Sequence, residues 1–214
     1  MVMEENLAIL FADLSGYTAL TETHGASSAA DMIDRFLSIV NRCLVGESVL
    51  KESTGDEVMV VSSSADCLLS TAALLMRVIS KEENFLQVHG GLHYGKVLKR
   101  NNRYFGAAIN LTARIAAKAS PGSFWCSFDF IDALSDKTTL NFEIKGKHSF
   151  KNVNEEKLVA EIVNVSANAL VIDPICRMLI LDKSNAVRHP EKEDYFFCSQ
   201  ACLDSFTACQ DTEG

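Results

Sequence analysis

The stretch LAILFADLSG, residues 7–16, decides how the first part of this chain folds. Its apolar run, residues 7–12, stops at Asp13, and the turn formers Ser15 and Gly16 follow. A short apolar run that is bounded by a turn is typical of a buried β-strand. The pattern therefore predicts a strand over residues 7–12, with Asp13 at its carboxyl end.

Strand and helix patterns alternate after this stretch. Apolar residues three and four apart predict helices from Ser28, over residues 67–79 and after Gly106, and residues 131–134 are predicted to form a short helix. Strand patterns cover residues 48–51, 57–61, 86–94, 95–99, 123–127, 140–144 and 158–163. The first two flank the sequence STGD and predict a hairpin with Asp56 at its tip. Alternation without an internal repeat favours an α/β or α+β sandwich of helices against a sheet.

Two pairs of polar residues stand out against this framework. Asp13 and Asp56 both end strands, and two carboxylates brought together would make a hard oxygen site suited to Mg²⁺ or Mn²⁺ on phosphates. Either acid taken alone is equally well explained as a helix or turn cap. Asn110 and Arg114 are four residues apart in the predicted third helix, so they project from one face, one turn apart.

Composition limits the class of partner. The chain has 214 residues and a formal net charge of −8, which argues against a general binder of nucleic acid or of membrane surfaces because both are polyanionic. Any triphosphate site must therefore supply its own local positive charge. The apolar runs are too short to span a bilayer, and the first residues lack the pattern of a signal peptide, so we expect a cytoplasmic protein.

Four segments in register carry a resemblance to a known family. They are FADLSGYT (11–18), TGDEVMVV (54–61), GGLHYGKV (90–97) and YFGAAINLTAR (104–114). In order and approximate spacing they resemble the class III adenylate/guanylate cyclase family, and the resemblance covers roughly residues 6 to 163. It implies an α+β, ferredoxin-like (βαββαβ-type) cyclase sandwich over residues 1–165.

The resemblance also implies a role for each polar pair. Asp13 and Asp56 match the two metal-binding aspartates of the family, and the backbone carbonyl of Leu14 completes one metal shell, with two Mg²⁺ or Mn²⁺ ions per active site. Asn110 matches the asparagine that orients the ribose. Arg114 matches the arginine that neutralises charge growing at the α-phosphate, a task suited to a planar five-donor group.

In this family the metal pair and the Asn/Arg pair of one site come from opposite subunits, so the resemblance implies a homodimer with two equivalent sites. Lys151, in the sequence SFKNV, matches the family lysine that holds the terminal phosphates, although the glycine that usually follows is absent. A solvated surface lysine explains Lys151 equally well. The implied reaction converts a nucleoside triphosphate, ATP in the first instance, into its 3′,5′-cyclic monophosphate and pyrophosphate.

The positions that select the base leave alternatives open. Counting from the second metal aspartate and from the ribose asparagine gives Glu52 and Arg103. Adenylate cyclases of the family commonly carry Lys and then Asp or Thr there, whereas guanylate cyclases carry Glu at the first position. Glu52 could accept from guanine N1 and N2, and Arg103 could donate to O6. Two alternatives concern the base: Glu52 and Arg103 could pair with each other, or Lys51 could reach the base through a one-residue shift. A third is that the domain is a nucleotide-binding regulator without turnover.

Cysteine usage changes along the chain. Cys43, Cys67 and Cys126 fall within apolar patterns and are predicted to be core residues. Beyond a predicted linker at residues 164–168, residues 170–209 contain DPICRM (173–178) and YFFCSQAC (195–202), which resemble the YHS domain, a small module related to cysteine-rich metal sensors.

The thiols of this second segment are candidate metal ligands. Cys176, Cys198 and Cys202 could bind Zn²⁺ or a soft ion such as Cu(I), with His189 or Asp173 as a possible fourth ligand. The alternative is that these cysteines are packed free thiols in a small hydrophobic module.

Overall fold

The computed structural model describes residues 2–135, 137, 141–163, 171–180 and 183–211. The chain divides into two compact units, residues 1–165 and residues 166–214. Each unit is described by itself. The predicted linker at residues 164–168 lies outside the described residues.

The first unit is built on one eight-stranded sheet. Its strands are β1 (Val2–Leu14), β2 (Val49–Thr54), β3 (Glu57–Ser62), β4 (Val88–Arg100), β5 (Arg103–Phe105), β6 (Phe124–Ser127), β7 (Asn141–His148) and β8 (Lys157–Val163). They are ordered β2-β3-β1-β4-β6-β8-β7, and β5 pairs with β4. Among the described strands, β4 and β6 run parallel and the other neighbours run antiparallel.

Helices cover both faces of this sheet. They are α1 (Tyr17–Cys43), α2 (Ala65–Ile79), α3 (Ala107–Ala116) and the short α4 (Phe128–Asp132). Side chains alternate between the faces of β1. Leu7, Ile9 and Phe11 pack against α3, whereas α2 contacts β1 and β3 and is itself packed against α1. The order β1-α1-β2-β3-α2-β4 confirms the α+β, ferredoxin-like prediction.

A glycine fixes how closely α3 lies on the sheet. A Cβ added to Gly91 in β4 would lie 2.3 Å from the backbone nitrogen of Ala116 and 2.7 Å from the carbonyl oxygen of Thr112. Only a residue without a side chain allows the helix backbone to approach the strand in this way. Gly91 therefore sets the position of α3, the helix that carries Asn110 and Arg114.

The structure corrects several predicted boundaries. Residues 86–94 and 95–99 were expected to form two strands, but β4 is one strand that stays paired with β1 from Val88 to Arg100, because β1 itself begins at Val2. Helix α1 begins at Tyr17 rather than at Ser28, and it is interrupted at Gly25, where φ is +80°. Cys43, Cys67 and Cys126 are buried, as predicted.

The second unit is small and has little regular structure. Its elements are β9 (Val171–Ile172), β10 (Leu179–Ile180), a 3₁₀ turn (Lys183–Asn185), β11 (Val187–Arg188), β12 (Phe196–Phe197) and α5 (Gln200–Asp211). Strand β9 pairs with β10, and β11 pairs with β12. A cluster of rings, Phe197, Phe206, Tyr195 and His189, forms its apolar centre. In the part of the chain that the structure describes, no helix is long and apolar enough to cross a membrane.

Candidate active site

The first candidate residue, Asp13, lies near the end of β1, as the sequence predicts. It is on the same face of the strand as Phe11, the face that packs against α3. The sheet register pairs Asp13 with Glu57 of β3 on one side and with His89 of β4 on the other. Asp13 is therefore flanked on both sides by ionisable residues at one edge of the sheet.

The second candidate, Asp56, lies in the two-residue turn between β2 and β3. The preceding Gly55 has a φ of +61°, a left-handed conformation that glycine adopts without strain, and this allows the tight turn. The turn brings Asp56 close to Asp13. Burial and then the negative charge of Asp56 raise the pKa of Asp13, and His89 opposes them.

Two neighbours of this acidic pair were missed by sequence reasoning. Burial, Asp13 and Asp56 raise the pKa of Glu57. His89 Nε2 lies 3.8 Å from Asp13 Oδ2, while its Nδ1 lies 2.9 Å from the hydroxyl oxygen of Ser15. Glu57 follows Asp56 directly and could have been suspected on that ground. The place of His89 depends on the pairing of β4 with β1, two strands far apart in the sequence, and no local pattern signals it.

Asn110 and Arg114 lie one turn apart on α3, as predicted. Asn110 is exposed and Arg114 is half-buried, while Leu111 and Ile115 on the opposite side of the helix are buried. Neither polar side chain makes a hydrogen bond or an ion pair with any residue that the structure describes. Their donors are therefore available to a ligand.

The proposed base-selecting residues come together in one groove. Glu52 from β2 and Arg103 from β5 both line a polar groove of about 770 Å³, together with Lys51 and Tyr104. Within the described ranges Glu52 and Arg103 do not form an ion pair with each other. The pairing of β2 with β3 shifts register between Leu50 and Glu52, so a bulge at Lys51 brings two successive side chains to this region.

Lys51 is held there by an aromatic ring, because its Nζ lies 5.7 Å from the ring centre of Tyr104. Lys151 is exposed in the turn between β7 and β8. It makes no contact with the acids or with α3 among the hydrogen bonds and ion pairs of the described residues.

In the second unit the three predicted thiols do come together. The Sγ atoms of Cys176 and Cys198 are 3.4 Å apart, and those of Cys198 and Cys202 are 3.8 Å apart. One ligand atom from each of these cysteines and from Asp173 lies within 4.8 Å of the others. Tetrahedral or trigonal thiolate sites with metal–sulfur bonds of about 2.3 Å place their sulfur atoms at similar separations.

Asp173 has a different function in this cluster from the thiols. Its buried carboxylate accepts backbone N–H bonds from Ile175 at 2.8 Å, from Cys176 at 3.1 Å and from Cys198 at 2.7 Å. Burial raises the pKa of Asp173, but these bonds outweigh it and hold the pKa below its ordinary value. The carboxylate thus fixes the backbone that presents two of the thiols.

The other possible fourth ligand, His189, is directed elsewhere. Its Nδ1 accepts the backbone N–H groups of Glu191 and Lys192, and its ring packs against Phe206. It is not a member of the thiol cluster found among the described residues.

The bond to Cys176, and then burial, raise the pKa of Cys198 to about 12, so without a cation this sulfur is protonated.

Comparison with known proteins agrees with this geometry for the first unit. The chain is 38% identical over 127 residues to an uncharacterised protein of Mycobacterium tuberculosis, covering 59% of this chain and 34% of that protein. It is 30% identical over 135 residues to an adenylate cyclase of Glutamicibacter nicotianae, covering 63% of this chain and 32% of that enzyme. The chain thus spans about a third of the length of these relatives.

Solved structures share the fold. The adenylyl cyclase CyaB from P. aeruginosa matches with a TM-score of 0.68 at 17% identity, over 79% of this chain and 99% of that one. The guanylate cyclase domain of RhGC from Catenaria anguillulae in complex with GTP matches with a TM-score of 0.64 at 15% identity, over 75% and 98%. The family model described as the adenylate and guanylate cyclase catalytic domain matches residues 1–160. By this match over three quarters of its length, the chain belongs to the class III adenylate/guanylate cyclase family.

Proposed function

We propose that the first unit converts ATP into 3′,5′-cyclic AMP and pyrophosphate at a homodimer interface. The observation that carries this proposal is the approach of Asp13 and Asp56 at one sheet edge, on the face that α3 also covers. That helix carries Asn110 and Arg114, whose side chains make no hydrogen bond or ion pair with the residues that the structure describes. The names of the relatives, several of which are adenylate cyclases, favour ATP as the substrate.

The residues at the sheet edge fit the divalent ions that the family implies. Asp13 and Asp56 place two carboxylates close together with a third, Glu57, beside them, and burial followed by the charge of Asp56 raises the pKa of Asp13. Oxygen donors with excess negative charge suit Mg²⁺ or Mn²⁺. Asp13, Asp56 and the Leu14 carbonyl would hold the ions, which would supply neutralising charge for the phosphates and favour ionisation of the ribose 3′-hydroxyl.

The other residues bind and orient the reacting groups. The ribose 3′-oxygen forms a bond to the α-phosphorus while the bond from that phosphorus to the bridging oxygen breaks, pyrophosphate leaves, and the hydroxyl proton passes to solvent. Asn110 orients the ribose for this attack. Arg114 donates to the α-phosphate oxygens as their charge grows, and Lys151 holds the terminal phosphates.

A homodimer is part of this proposal. The ion-binding pair lies on the sheet edge and the Asn110/Arg114 pair lies on α3, and in the family the two pairs of one site belong to different subunits. Each protomer would therefore contribute one half of two equivalent sites.

A guanylate cyclase is the second candidate, and a specific observation favours it. Glu52 and Arg103 line the same groove without pairing, so both could read the donors and the acceptor on a guanine edge. Lys51, brought alongside by the bulge, offers the donor that an adenine-specific site requires. A base-reading site with a Glu acceptor favours GTP, and one with a Lys donor favours ATP.

One assay tests the reaction and the base together. The purified full chain is supplied with Mn²⁺ and either ATP or GTP, and the cyclic nucleotide and pyrophosphate are measured. We expect cyclic AMP to form faster than cyclic GMP. We also expect Lys51→Ala to lose this preference and Lys99→Ala, whose ammonium also lies near the Tyr104 ring, to keep it. Faster formation of cyclic GMP would establish the second candidate. Release of neither product would favour a nucleotide-binding regulator without turnover.

We propose further that residues 170–209 form a YHS-like module that binds Zn²⁺ or another soft ion through Cys176, Cys198 and Cys202. The separations between the sulfur atoms support this. Elemental analysis of the full chain, purified without chelators and then titrated with Zn²⁺, is expected to give one ion per chain. Cys198→Ser should abolish uptake and Cys67→Ala, in the core of the first unit, should not. No uptake by the unaltered chain would exclude the metal site.

A further inference from the structure

A pocket of about 440 Å³ opens in the first unit away from the acidic pair. Its walls include His93 and Gly95 of β4, Ala107 and Ala108 of α3, Asp129 of α4 and Lys157 of β8. Strands β4 and β6 are parallel and are hydrogen-bonded to each other between residues 90–92 and 124–126. The pocket lies beyond this paired stretch, towards the carboxyl ends of the two strands. Crevices at the carboxyl ends of parallel strands are common places for ligands. None of the residues assigned above to the cyclase reaction lines this pocket.

His93 is the buried polar group of this pocket. Only 6% of its surface is exposed, and its Nδ1 lies 2.7 Å from the hydroxyl oxygen of Ser127. That oxygen also accepts the backbone N–H of Phe130, and we assign its hydroxyl proton to the bond with His93 Nδ1, its other partner among the described residues. A neutral imidazole that accepts at Nδ1 carries its proton on Nε2. Burial lowers the pKa of His93 to about 4, so the ring is neutral at physiological pH.

The Nε2 proton has no acceptor among the residues that the structure describes. The nitrogen lies beside Gly95, where an added Cβ would be only 2.8 Å from it and 3.1 Å from the Cβ of Ala108. The missing side chain at Gly95 leaves the donor facing the pocket. An acceptor in the pocket would give this donor a partner that the fold does not supply.

The first turn of α3 adds further donors. Helix α3 begins at Ala107, and its N-cap, Gly106, offers no side chain to accept the first backbone N–H groups. The positive end of a helix of this length favours a negative group. Lys157 adds a full positive charge. Among the lining residues Asp129 is the acid. Its carboxylate is half exposed, and its Oδ2 lies 3.8 Å from Lys157 Nζ and 3.9 Å from His93 Nδ1, on the side of the imidazole away from Nε2.

We propose that this pocket binds a small oxyanion, a carboxylate or phosphate group held by His93 Nε2, the first N–H groups of α3 and Lys157. The site is independent of the proposed cyclase reaction, because none of its residues has a role there. The pocket nevertheless lies next to two segments that carry residues of the proposed active site. The lining residues Asn152, Val153 and Asn154 directly follow Lys151, and α3 carries Asn110 and Arg114. A bound anion would therefore contact both segments that carry the proposed phosphate-binding residues.

Nuclear magnetic resonance of the ¹⁵N-labelled full chain tests this site. Sodium phosphate and sodium acetate are titrated in separate arms at constant ionic strength, with sodium chloride as the reference. We expect saturable shifts, in the millimolar range, of the Ala107 and Ala108 amides and of His93 Nε2. A response to phosphate alone identifies a phosphate site and a response to acetate alone identifies a carboxylate site, and either supports the proposal.

Two variants and a control make the test specific. Lys157→Gln should weaken binding at least about fivefold, in line with the loss of one charge-assisted bond. Lys118→Gln, at the other end of α3, should leave binding unchanged. His93→Phe removes the Nε2 donor. If His93→Phe does not fold, Gly95→Ala replaces it in the test, because the added methyl group fills the space in front of Nε2. The proposal is overturned if no saturable shift occurs in the unaltered chain, or if Lys157→Gln binds as tightly as the control.

Discussion

Asp13 has three ionisable neighbours, Asp56, Glu57 and His89, and three of the four groups are acids. Burial, and after it the charges of the neighbouring acids, raise the pKa of Asp13 and of Glu57. Functional sites often retain such unfavourable charge arrangements because a ligand relieves them. At the scale of single residues, the repulsion among these acids is therefore a free-energy cost that the folded chain bears when the proposed ions are absent.

The first prediction concerns this cost. Asp13→Asn removes a negative charge from the cluster, so without divalent ions it should raise the temperature of unfolding of the full chain. Added Mn²⁺ should stabilise the unaltered chain but not the variant, because ligands stabilise only the state that binds them. Differential scanning calorimetry measures both. Asp34→Asn, an exposed acid on α1, is the matched control, and equal stabilisation of Asp13→Asn and unaltered protein by Mn²⁺ would refute the ion assignment.

The second prediction concerns acid sensitivity. His93 has a pKa of about 4 when folded and about 6.5 when unfolded, because burial disfavours its charged form; Asp129 raises the folded value and Lys157 lowers it. Between these values the unfolded chain binds a proton that the folded chain does not. Stability is therefore lost as the pH falls from about 6.5 to about 4, by about 3 kcal/mol in full.

Urea unfolding at pH 7 and pH 4.5 measures this loss. His93→Gln cannot take up the proton, so its stability should fall by about 2 kcal/mol less than that of the unaltered chain between the two pH values. His24→Gln, on the exposed part of α1, should behave like the unaltered chain. If His93→Gln shows the same loss as the unaltered chain, the buried neutral imidazole is not responsible.

At the scale of elements, the pairing between α3 and β4 positions half of the proposed site. Gly91→Ala would push the backbone of α3 away from the sheet, since the new Cβ cannot approach Ala116 to 2.3 Å. We expect a loss of about 1–3 kcal/mol in unfolding free energy. We also expect a fall in the turnover number that exceeds the change in nucleotide binding, because displaced Arg114 acts on the reacting phosphate. Lys118→Ala, exposed just beyond the carboxyl end of α3, should change neither quantity.

The elements also show which features the sequence could predict. The places of Asp13, Asp56, Asn110 and Arg114 in the fold could be predicted because each is tied to a local pattern, namely a strand end, a hairpin tip or a helix spacing. Their proposed roles come from the family resemblance. His89 was missed because its place depends on the register of β4 with β1. The bulge at Lys51 and the pocket at His93 likewise depend on distant strands and loops. Local periodicity carries no information about such long-range register.

At the scale of the whole molecule, the account rests on two protomers completing each other's sites. The acidic pair at the sheet edge and the donors on α3 are both present in every chain. If they act in the same protomer, a variant that lacks either pair cannot be rescued by another. If they act across an interface, two differently inactivated chains can restore one site between them.

Mixing Asp56→Ala with Arg114→Ala tests this claim most directly. Each variant alone should lose at least about 10²-fold in cyclase turnover. A dimer of one variant with the other retains one intact site of two, and random pairing makes half of the dimers mixed. The account predicts that an equimolar mixture recovers about a quarter of the unaltered activity. A mixture that forms mixed dimers, shown by co-purification of differently tagged chains, yet is no more active than its components would contradict it.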